Sequence, residues 1–210
     1  MTDSNDKQKL LDDLKNELAK DDNVPLRSSN MVFGEGSADA EVCFIGEAPG
    51  FYEDRDGRPF VGRAGKLLDK MIDGVGWKRS EVYITNIVKK RPPENRDPLP
   101  DELDSFAPYL SRQIEIIDPK IIVPLGRFAM NYFLPTAKIS NDQGKLFWWD
   151  NKLIIPMYHP AAALRSTGVL EKLEASFKKI PIALEKYDSF LKERGIVTKK
   201  EDSPEQKSLF

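Results

Sequence analysis

The chain has 210 residues, of which 40% are hydrophobic and 31% charged, and its formal net charge is −2. This length suffices for one α/β domain with a sizeable core, and the slight acidity argues against non-specific coating of nucleic acid, which needs many cations. The single cysteine excludes a disulfide framework and a thiolate metal cluster built from this chain alone. Neither a signal peptide nor an apolar run of about 20 residues is visible, so we expect a cytoplasmic protein without a membrane anchor.

The first part of the chain predicts a surface helix followed by a buried strand. Leucines at helical spacing predict an amphipathic helix over residues 6–20, and a loop is expected over 21–36. An apolar run over 42–45 then predicts a buried parallel strand. That strand must end in the turn GEAPG of residues 46–50, because its proline has no N–H to donate and its glycines admit positive φ.

The middle of the chain continues the alternation of helices and strands. It predicts a helix over 66–74, a short strand over 82–86 and a long, exposed, proline-rich loop over 89–96. A further helix, strand and helix are expected over 101–117, 121–125 and 127–134.

The last part predicts a hairpin and a closing helical segment. Strands over 146–149 and 153–157 flank a two-residue turn, and the second strand leads into a loop that contains the only histidine, His159. One or two helices are expected over 170–194, with Pro181 able to start the second.

The order of these elements predicts an α/β fold, with a mostly parallel sheet covered on both faces. We expect one domain over residues 1–197 and a disordered tail over 198–210, whose charged, Ser- and Pro-containing composition cannot bury enough surface to order itself. In such a sheet, ligands bind beyond the carboxyl ends of the strands. The GEAPG turn and the His159 loop should therefore meet over one substrate.

Six sequence blocks resemble the family 4 branch of the uracil-DNA glycosylase superfamily. In chain order they are GEAPG (46–50), the Glu53-Asp54 pair, GRPFVGRAG (57–65), YITN (83–86), RPPENR (91–96) and HPA (159–161). The resemblance implies a three-layer α/β/α sandwich with a central four-stranded, mostly parallel sheet. It also implies hydrolysis of the N-glycosidic bond of uracil in single- or double-stranded DNA, which leaves an abasic site.

The resemblance assigns a role to each residue that would hold the base. Phe60 matches the aromatic residue on which the family stacks uracil, an interaction of about 1–3 kcal/mol. Asn86 can offer one donor and one acceptor to uracil O4 and N3–H, and His159 matches the histidine that hydrogen-bonds O2 as negative charge builds on the departing base. The turn residues expected to complete this site are Gly46, Ala48, Pro49 and Gly50.

The resemblance leaves more than one role possible for the acidic group near the reaction centre. Ala48 stands where the better-known branch of the superfamily has a water-positioning aspartate, so the neighbouring Glu47 is the expected catalytic carboxylate. Glu47 either orients water or stabilises the oxocarbenium character of the sugar, or else holds the turn. Glu53 is a candidate for crowding the 5-position of the pyrimidine and so excluding thymine.

Cations near the site suggest contacts to DNA. A phosphate-contacting patch is expected from Lys89, Lys90, Arg91 and Arg96, with a solvated charge run as the alternative. Leu164 or Arg165 is expected to fill the space that the extruded base leaves, with helix packing as the alternative for Leu164.

The chain departs from the family at its iron–sulfur cluster. Family 4 enzymes hold that cluster with four cysteines, but Lys90 and Phe106 stand at two of those positions and residues 21–26 contain no cysteine. We therefore expect no cofactor, and we expect the loop over 89–96 to be held by its prolines and by Phe106 packing beneath it.

The C-terminal residues QKSLF resemble the motif by which bacterial repair proteins dock on the DNA sliding clamp. Gln206 would make polar contacts while Leu209 and Phe210 enter an apolar pocket. The expected protein is thus a monomeric, monofunctional glycosylase recruited by a clamp. The competing hypotheses are an inactive DNA- or protein-binding module on the same fold, and a glycosylase for another deaminated base such as hypoxanthine.

Overall fold

The structure, a computed structural model, describes residues 4–194. The helices are α1 (Ser4–Lys20), α2 (Phe51–Asp56), α3 (Arg63–Gly74), α4 (Pro100–Ile117), α5 (Arg127–Phe133), α6 (Ile139–Asp142), α7 (Pro160–Ala163), α8 (Thr167–Phe177), α9 (Lys179–Glu185) and α10 (Tyr187–Glu193). The strands are β1 (Glu35–Gly36), β2 (Val42–Gly46), β3 (Tyr83–Asn86), β4 (Ile121–Pro124), β5 (Phe147–Trp149) and β6 (Lys152–Ile154). Two short 3-10 turns cover Arg79–Glu81 and Pro93–Asn95.

The strands form one sheet in the order β1-β3-β2-β4-β6-β5. Its four central strands are parallel, whereas β1 and β5 pair antiparallel at the two edges. The predicted α/β fold is confirmed, but the sheet has six strands instead of four. The number four was implied by the resemblance and corresponds to the parallel strands. Strand β5 is the first arm of the predicted hairpin, whereas β1, only two residues long, lies in the segment predicted as a loop.

Strand β2 lies at the centre of the sheet and contributes to both halves of the core. Val42 and Phe44 belong to one buried cluster, and Cys43 and Ile45 belong to the other, because successive side chains of a strand point to opposite faces. Helices α1, α4 and α5 cover the Cys43 face, and helices α3, α8, α9 and α10 cover the Phe44 face. The result is the expected three-layer α/β/α arrangement.

Helix α2 was not predicted from the sequence, which places no element between the GEAPG turn and the helix over 66–74. None of its residues is buried, so the segment FYEDRD carries no apolar periodicity that would indicate a helix. Its first turn does contain Glu53 and Asp54, whose negative charges stabilise the helix by interacting with the positive end of its dipole. The closing segment was expected as one or two helices and instead forms the three short helices α8, α9 and α10.

None of the helices between residues 4 and 194 combines the length and apolar composition that a bilayer-spanning segment needs. The boundary at residue 197 and the tail over 198–210, with Gln206, Leu209 and Phe210, lie outside the described residues.

Candidate active site

The site is built where strands β2 and β3 end side by side, with Gly46 directly opposite Asn86. A Cβ atom on Gly46 would lie 2.3 Å from Asn86 Oδ1 and 2.6 Å from Phe60 Cζ. Both distances are far below van der Waals contact, so only a glycine allows the Asn86 amide and the Phe60 ring to approach this strand end. Gly46 is thus required for the close approach of Asn86 and Phe60, and its predicted contact with the substrate stays a prediction.

Phe60 is fixed by the loop around it. Its backbone has a positive φ of 51°, which is unfavourable for a bulky residue, and its side chain is 5% exposed. Glu53 Oε1 accepts hydrogen bonds from the backbone N–H groups of Val61 (2.9 Å) and Gly62 (2.8 Å). A Cβ atom on Gly65 would lie 1.9 Å from the Phe60 carbonyl oxygen, so α3 also packs closely beneath this loop. Glu53 therefore holds the Phe60 loop through Oε1 and also lines the cavity, and its expected role in excluding thymine stays a prediction.

His159 follows β6 and precedes helix α7. Its Nδ1 atom accepts a hydrogen bond from the N–H group of Ala161, at 3.1 Å. Burial lowers the pKa of His159 to about 4, against a partial opposing effect of Glu53. The imidazole is therefore neutral at pH 7, and because Nδ1 is the acceptor, the proton resides on Nε2. The His159 and Phe60 ring centroids are 5.5 Å apart and their planes differ by 28°.

These groups surround a cavity of about 470 Å³, within the usual range for small-molecule sites. The lining residues that the sequence predicted are Glu47, Ala48, Gly50, Glu53, Phe60, Asn86, His159 and Arg165. The lining residues that were not predicted as site residues are Ala64, Asn95, Asp97, Ala161 and Ala162. Gly46, Pro49 and Leu164, which were also predicted at the site, are not among the lining residues. Asn95 and Asp97 lie in or next to the polar loop over 89–96, for which the sequence predicted only phosphate contacts by its cations.

Glu47 is a carboxylate with unused hydrogen-bonding capacity. No described residue donates a hydrogen bond to its side chain, although its backbone oxygen accepts one from Val88 N–H at 3.0 Å. Burial raises the pKa of Glu47 to about 7, with a further increase from Asp97 and a decrease from Arg127. Such a carboxyl group can change its protonation state near neutral pH and can accept a hydrogen bond from a water molecule in the cavity.

Lys89 was predicted to contact phosphate, and that prediction is wrong. Its side chain is fully buried and donates hydrogen bonds to Thr85 Oγ1 (2.7 Å), to the backbone oxygen of Asn86 (2.6 Å) and to Gln113 Oε1. Burial lowers the pKa of Lys89 to about 7. The Lys89 backbone oxygen also accepts a hydrogen bond from Val32 N–H at 2.7 Å, so the start of the loop is attached through both its side chain and its backbone.

The other predicted DNA-contacting residues are at least partly exposed. Lys90 and Arg91 are half-buried, and Arg91 Nε donates to Asn95 Oδ1 at 2.7 Å. Arg96 makes two hydrogen bonds to the carboxylate of Glu102, at 2.6 and 2.8 Å, yet its side chain stays 37% exposed. Leu164 is 43% exposed and Arg165 is exposed beside it. Contacts from these residues to DNA stay predictions.

The residues present do not fit an iron–sulfur cluster. Cys43 is buried within β2, and the described residues contain no group of three His, Cys, Asp or Glu side chains able to hold a metal ion. The loop over 89–96 is instead held by protein contacts. Ser29 Oγ donates to the Arg91 carbonyl oxygen at 2.7 Å. Phe106 is fully buried in the same core cluster as Val88, and its expected packing beneath the loop stays a prediction.

The comparisons with known proteins agree on one family. A family model described as Uracil DNA glycosylase superfamily matches residues 33–184. The chain is 50% identical over 162 residues to the Type-4 uracil-DNA glycosylase of Sulfurisphaera tokodaii, which covers 72% of this chain and 74% of that protein. It is 44% identical over 181 residues to the Type-4 uracil-DNA glycosylase of Archaeoglobus fulgidus (81% and 91% covered) and 41% identical over 174 residues to that of Thermotoga maritima (81% and 88%). The span that matches the family model includes every strand of the sheet and every residue that lines the cavity.

Proposed function

The chain belongs to the uracil-DNA glycosylase superfamily, and we propose that its strand-end cavity holds a uracil base extruded from DNA while the N-glycosidic bond is hydrolysed. The protein is a uracil-DNA glycosylase, a DNA repair enzyme that leaves an abasic site. The observation that supports this use of the cavity is the convergence of Asn86, Phe60 and His159 on one space large enough for a pyrimidine.

Recognition of uracil rests on Asn86 and Phe60. The Asn86 amide donates one hydrogen bond to uracil O4 and accepts one from N3–H, whereas cytosine presents a donor and an acceptor in the opposite order. The ring of Phe60 provides a flat apolar surface for the base. Because Asn86 is 2% exposed, a mismatched base would leave its polar atoms without partners in a dry environment, which costs about 1–3 kcal/mol.

His159 stabilises the departing base. As the glycosidic bond breaks, negative charge develops on uracil, and the neutral imidazole donates its Nε2–H to O2 without having to lose a proton first. A single donor of this kind contributes about 2.7–4 kcal/mol in a water-excluded site. The pKa of about 4 keeps the donor neutral over the working pH range.

Glu47 orients the attacking water molecule. Its carboxylate has no other hydrogen bond among the described residues, whereas the Glu53 carboxylate is occupied by the loop that carries Phe60. In its ionised form Glu47 also stabilises the positive charge that develops on the sugar. No lysine lines the cavity among the described residues, and Lys89 is turned into the core, so the reaction lacks an amine that would form a Schiff base and nick the strand.

The duplex or single strand is held at the rim of the cavity. Lys90, Arg91 and Arg96 contact phosphates, and Leu164 or Arg165 fills the space left by the extruded base. This assignment is supported by the exposure of Leu164 and Arg165 next to the lining residues Ala161 and Ala162.

Incubation with oligonucleotides that contain uracil, hypoxanthine, cytosine or thymine tests the function. We expect free uracil, identified by mass spectrometry, and a strand that breaks only after treatment with alkali. Release of hypoxanthine in preference to uracil would assign a different substrate. No base release at enzyme excess would support an inactive binding module instead.

We propose in addition that the C-terminal segment docks on the DNA sliding clamp. The support is the sequence QKSLF itself, with Gln206, Leu209 and Phe210 in the order of the clamp-binding motif. A variant with these three residues replaced by alanine should lose clamp pull-down and keep wild-type excision of uracil from free oligonucleotides. Undiminished pull-down would contradict this proposal.

We also propose that residues 1–197 form one domain and that the enzyme acts as a monomer in the cytoplasm. A single, buried and unpaired cysteine suits a reducing compartment. Analytical ultracentrifugation should find one species near 23.9 kDa, and a mass twice that value would contradict the monomer.

A further inference from the structure

Two large aromatic side chains are exposed at the rim of the cavity. Phe51 and Tyr52, the first residues of α2, are 53% and 52% exposed. Their ring centroids are 5.5 Å apart and their planes are nearly perpendicular, at 83°. The residues on either side of the pair, Gly50 and Glu53, both line the cavity, whereas Phe51 and Tyr52 do not line it themselves and are exposed outside it. The chemistry assigned to the cavity leaves this aromatic pair without a role.

Each ring is accompanied by a guanidinium group. The Cζ atom of Arg55 lies 5.3 Å from the centroid of Tyr52, and the Cζ atom of Arg91 lies 5.2 Å from the centroid of Phe51. Arg91 belongs to the loop over 89–96 and hydrogen-bonds Asn95, which lines the cavity. The pair thus lies between helix α2 and the loop over 89–96. Arg91 brings a positive charge to it, whereas the guanidinium of Arg55 is paired with the Asp56 carboxylate at 2.6 Å.

We propose that Phe51 and Tyr52 form a stacking subsite for an unpaired base of the DNA strand, next to the extruded uracil. This inference rests on the proposed function and adds a binding subsite to it. Aromatic rings combined with arginines are the usual composition of surfaces that bind single-stranded nucleic acid, because every base has a stacking face and every nucleotide carries a phosphate. The position at the rim decides the occupant, since any strand that inserts a base into the cavity must pass over this opening.

The subsite has a consequence for substrate preference. A base can stack on these rings only after it has left its own partner strand, which costs unpairing energy in a duplex and none in a single strand. The enzyme should therefore bind a uracil-containing single strand more tightly than the matched duplex, and this preference should depend on Phe51 and Tyr52.

The test measures binding without cleavage. The probe is a fluorescent single strand with 2′-fluoroarabino-deoxyuridine in place of deoxyuridine, since the fluorine slows glycosidic cleavage. In a series of such strands, one flanking nucleotide at a time is replaced by a tetrahydrofuran abasic residue, and the Kd is measured by fluorescence anisotropy. For the wild-type enzyme, removal of the base at one flanking position should raise the Kd by about tenfold, as expected for one base–aromatic stack.

The double variant Phe51→Ala, Tyr52→Ala identifies the site of stacking. Its Kd for the complete strand should be about tenfold higher than that of the wild type, and removal of the same flanking base should change it by less than about twofold. Tyr52→Ala alone leaves the Phe51–Arg91 contact in place and should give an intermediate result. Ile182→Ala, which removes an apolar side chain of equal exposure (53%) on the distant helix α9, should behave as the wild type.

Two outcomes would overturn the inference. One is a double variant with wild-type affinity. The other is a uniform loss of affinity in which the flanking-base effect persists, because the aromatic pair would then only hold Arg91 in place. Failure of the proposed function is a separate result, namely no release of uracil by the wild-type enzyme from an ordinary deoxyuridine strand.

Discussion

His159 is the only histidine of the chain, so its protonation can be followed without interference. In protein labelled with 15N-histidine, NMR should find a neutral imidazole with its proton on Nε2 from about pH 8 to about pH 5, and titration near pH 4, because burial disfavours the charged ring. The unfolded chain binds this proton near pH 6.5, so the contribution of His159 to stability is present above that pH and is lost as the pH falls through 4. Titration at 6.5 or above, or a proton on Nδ1, would contradict the assigned donor.

Glu47 should control the pH dependence of catalysis. Because the ionised carboxylate orients water and the pKa of Glu47 is raised to about 7, kcat/KM should rise about tenfold per pH unit below pH 7 and level off above it. Glu47→Gln should lower kcat/KM by about 10²- to 10³-fold and abolish this slope. The effect of Glu47 on stability has the opposite sign to that of His159, since the protonated form is favoured in the folded state and this contribution is lost as the pH rises through 7.

The contrary result for Glu47 is equally clear. If Glu47→Gln retains wild-type activity at every pH, the carboxylate only holds the GEAPG turn, which is the alternative that the sequence left open. Glu47→Asp serves as the matched control, because it keeps the charge and shifts the carboxylate by one methylene. It should retain the pH slope at a reduced rate.

At the scale of elements, Lys89 and Lys90 are neighbours with different tasks. Lys89→Met removes three donated hydrogen bonds and leaves buried acceptors on Asn86 and Gln113, so the free energy of unfolding should fall by about 2 kcal/mol. Lys90→Met alters a half-buried side chain at the surface and should change it by less than about 0.5 kcal/mol. Urea denaturation of the two variants measures this difference.

The salt dependence of binding to a uracil-free single strand should respond to Lys90 and not to Lys89, the reverse of the effect on stability. Lys90→Met should reduce the slope of log Kd against log salt concentration by the amount expected for one lost phosphate contact. Lys89→Met should leave that slope unchanged. A reduced slope for Lys89→Met, or a stability loss confined to Lys90→Met, would contradict the arrangement in the structure.

The same element illustrates what local sequence could predict. Every strand except the two-residue β1, and the long helices, followed from the apolar patterns, and the resemblance marked the turns that carry the site. The burial of Lys89 did not follow, because it depends on Gln113 in helix α4, 24 positions along the chain. The hydrogen bonds from Val61 and Gly62 to Glu53 were hidden for a similar reason, since a run of residues does not reveal which backbone groups a carboxylate will reach.

At the scale of the whole molecule, the three layers determine where the loops meet. The parallel strands β2, β3 and β4 have their carboxyl ends on the same side of the sheet. The chain that follows β6 continues alongside β4, as the bridge between Leu125 and Met157 shows. This extension brings His159 to the carboxyl ends of the strands, where Gly46 and Asn86 lie. The alternation of strands and helices predicted that the site lies at these carboxyl ends. It could not predict which side chains face the cavity, because that depends on packing between distant segments.

The attachment of the loop over 89–96 is also understood at this scale. The loop over 89–96 is attached to the body of the molecule by buried Lys89, by the pair of Arg96 with Glu102 and by the Ser29 hydrogen bond. Its cavity-lining end therefore has a scaffold made of protein groups alone. None of the residues assigned to uracil recognition or catalysis takes part in these attachments through its side chain, whereas Arg96, assigned to phosphate contact, does.

Single-turnover excision, with enzyme in excess over a uracil-containing oligonucleotide, tests the central claim most directly. We predict that His159→Ala and Asn86→Ala each lower the rate of uracil release by about 10²- to 10³-fold while the far-UV circular dichroism stays that of the wild type. Wild-type rates in both variants would contradict the assignment of this cavity as the place where uracil is held and released.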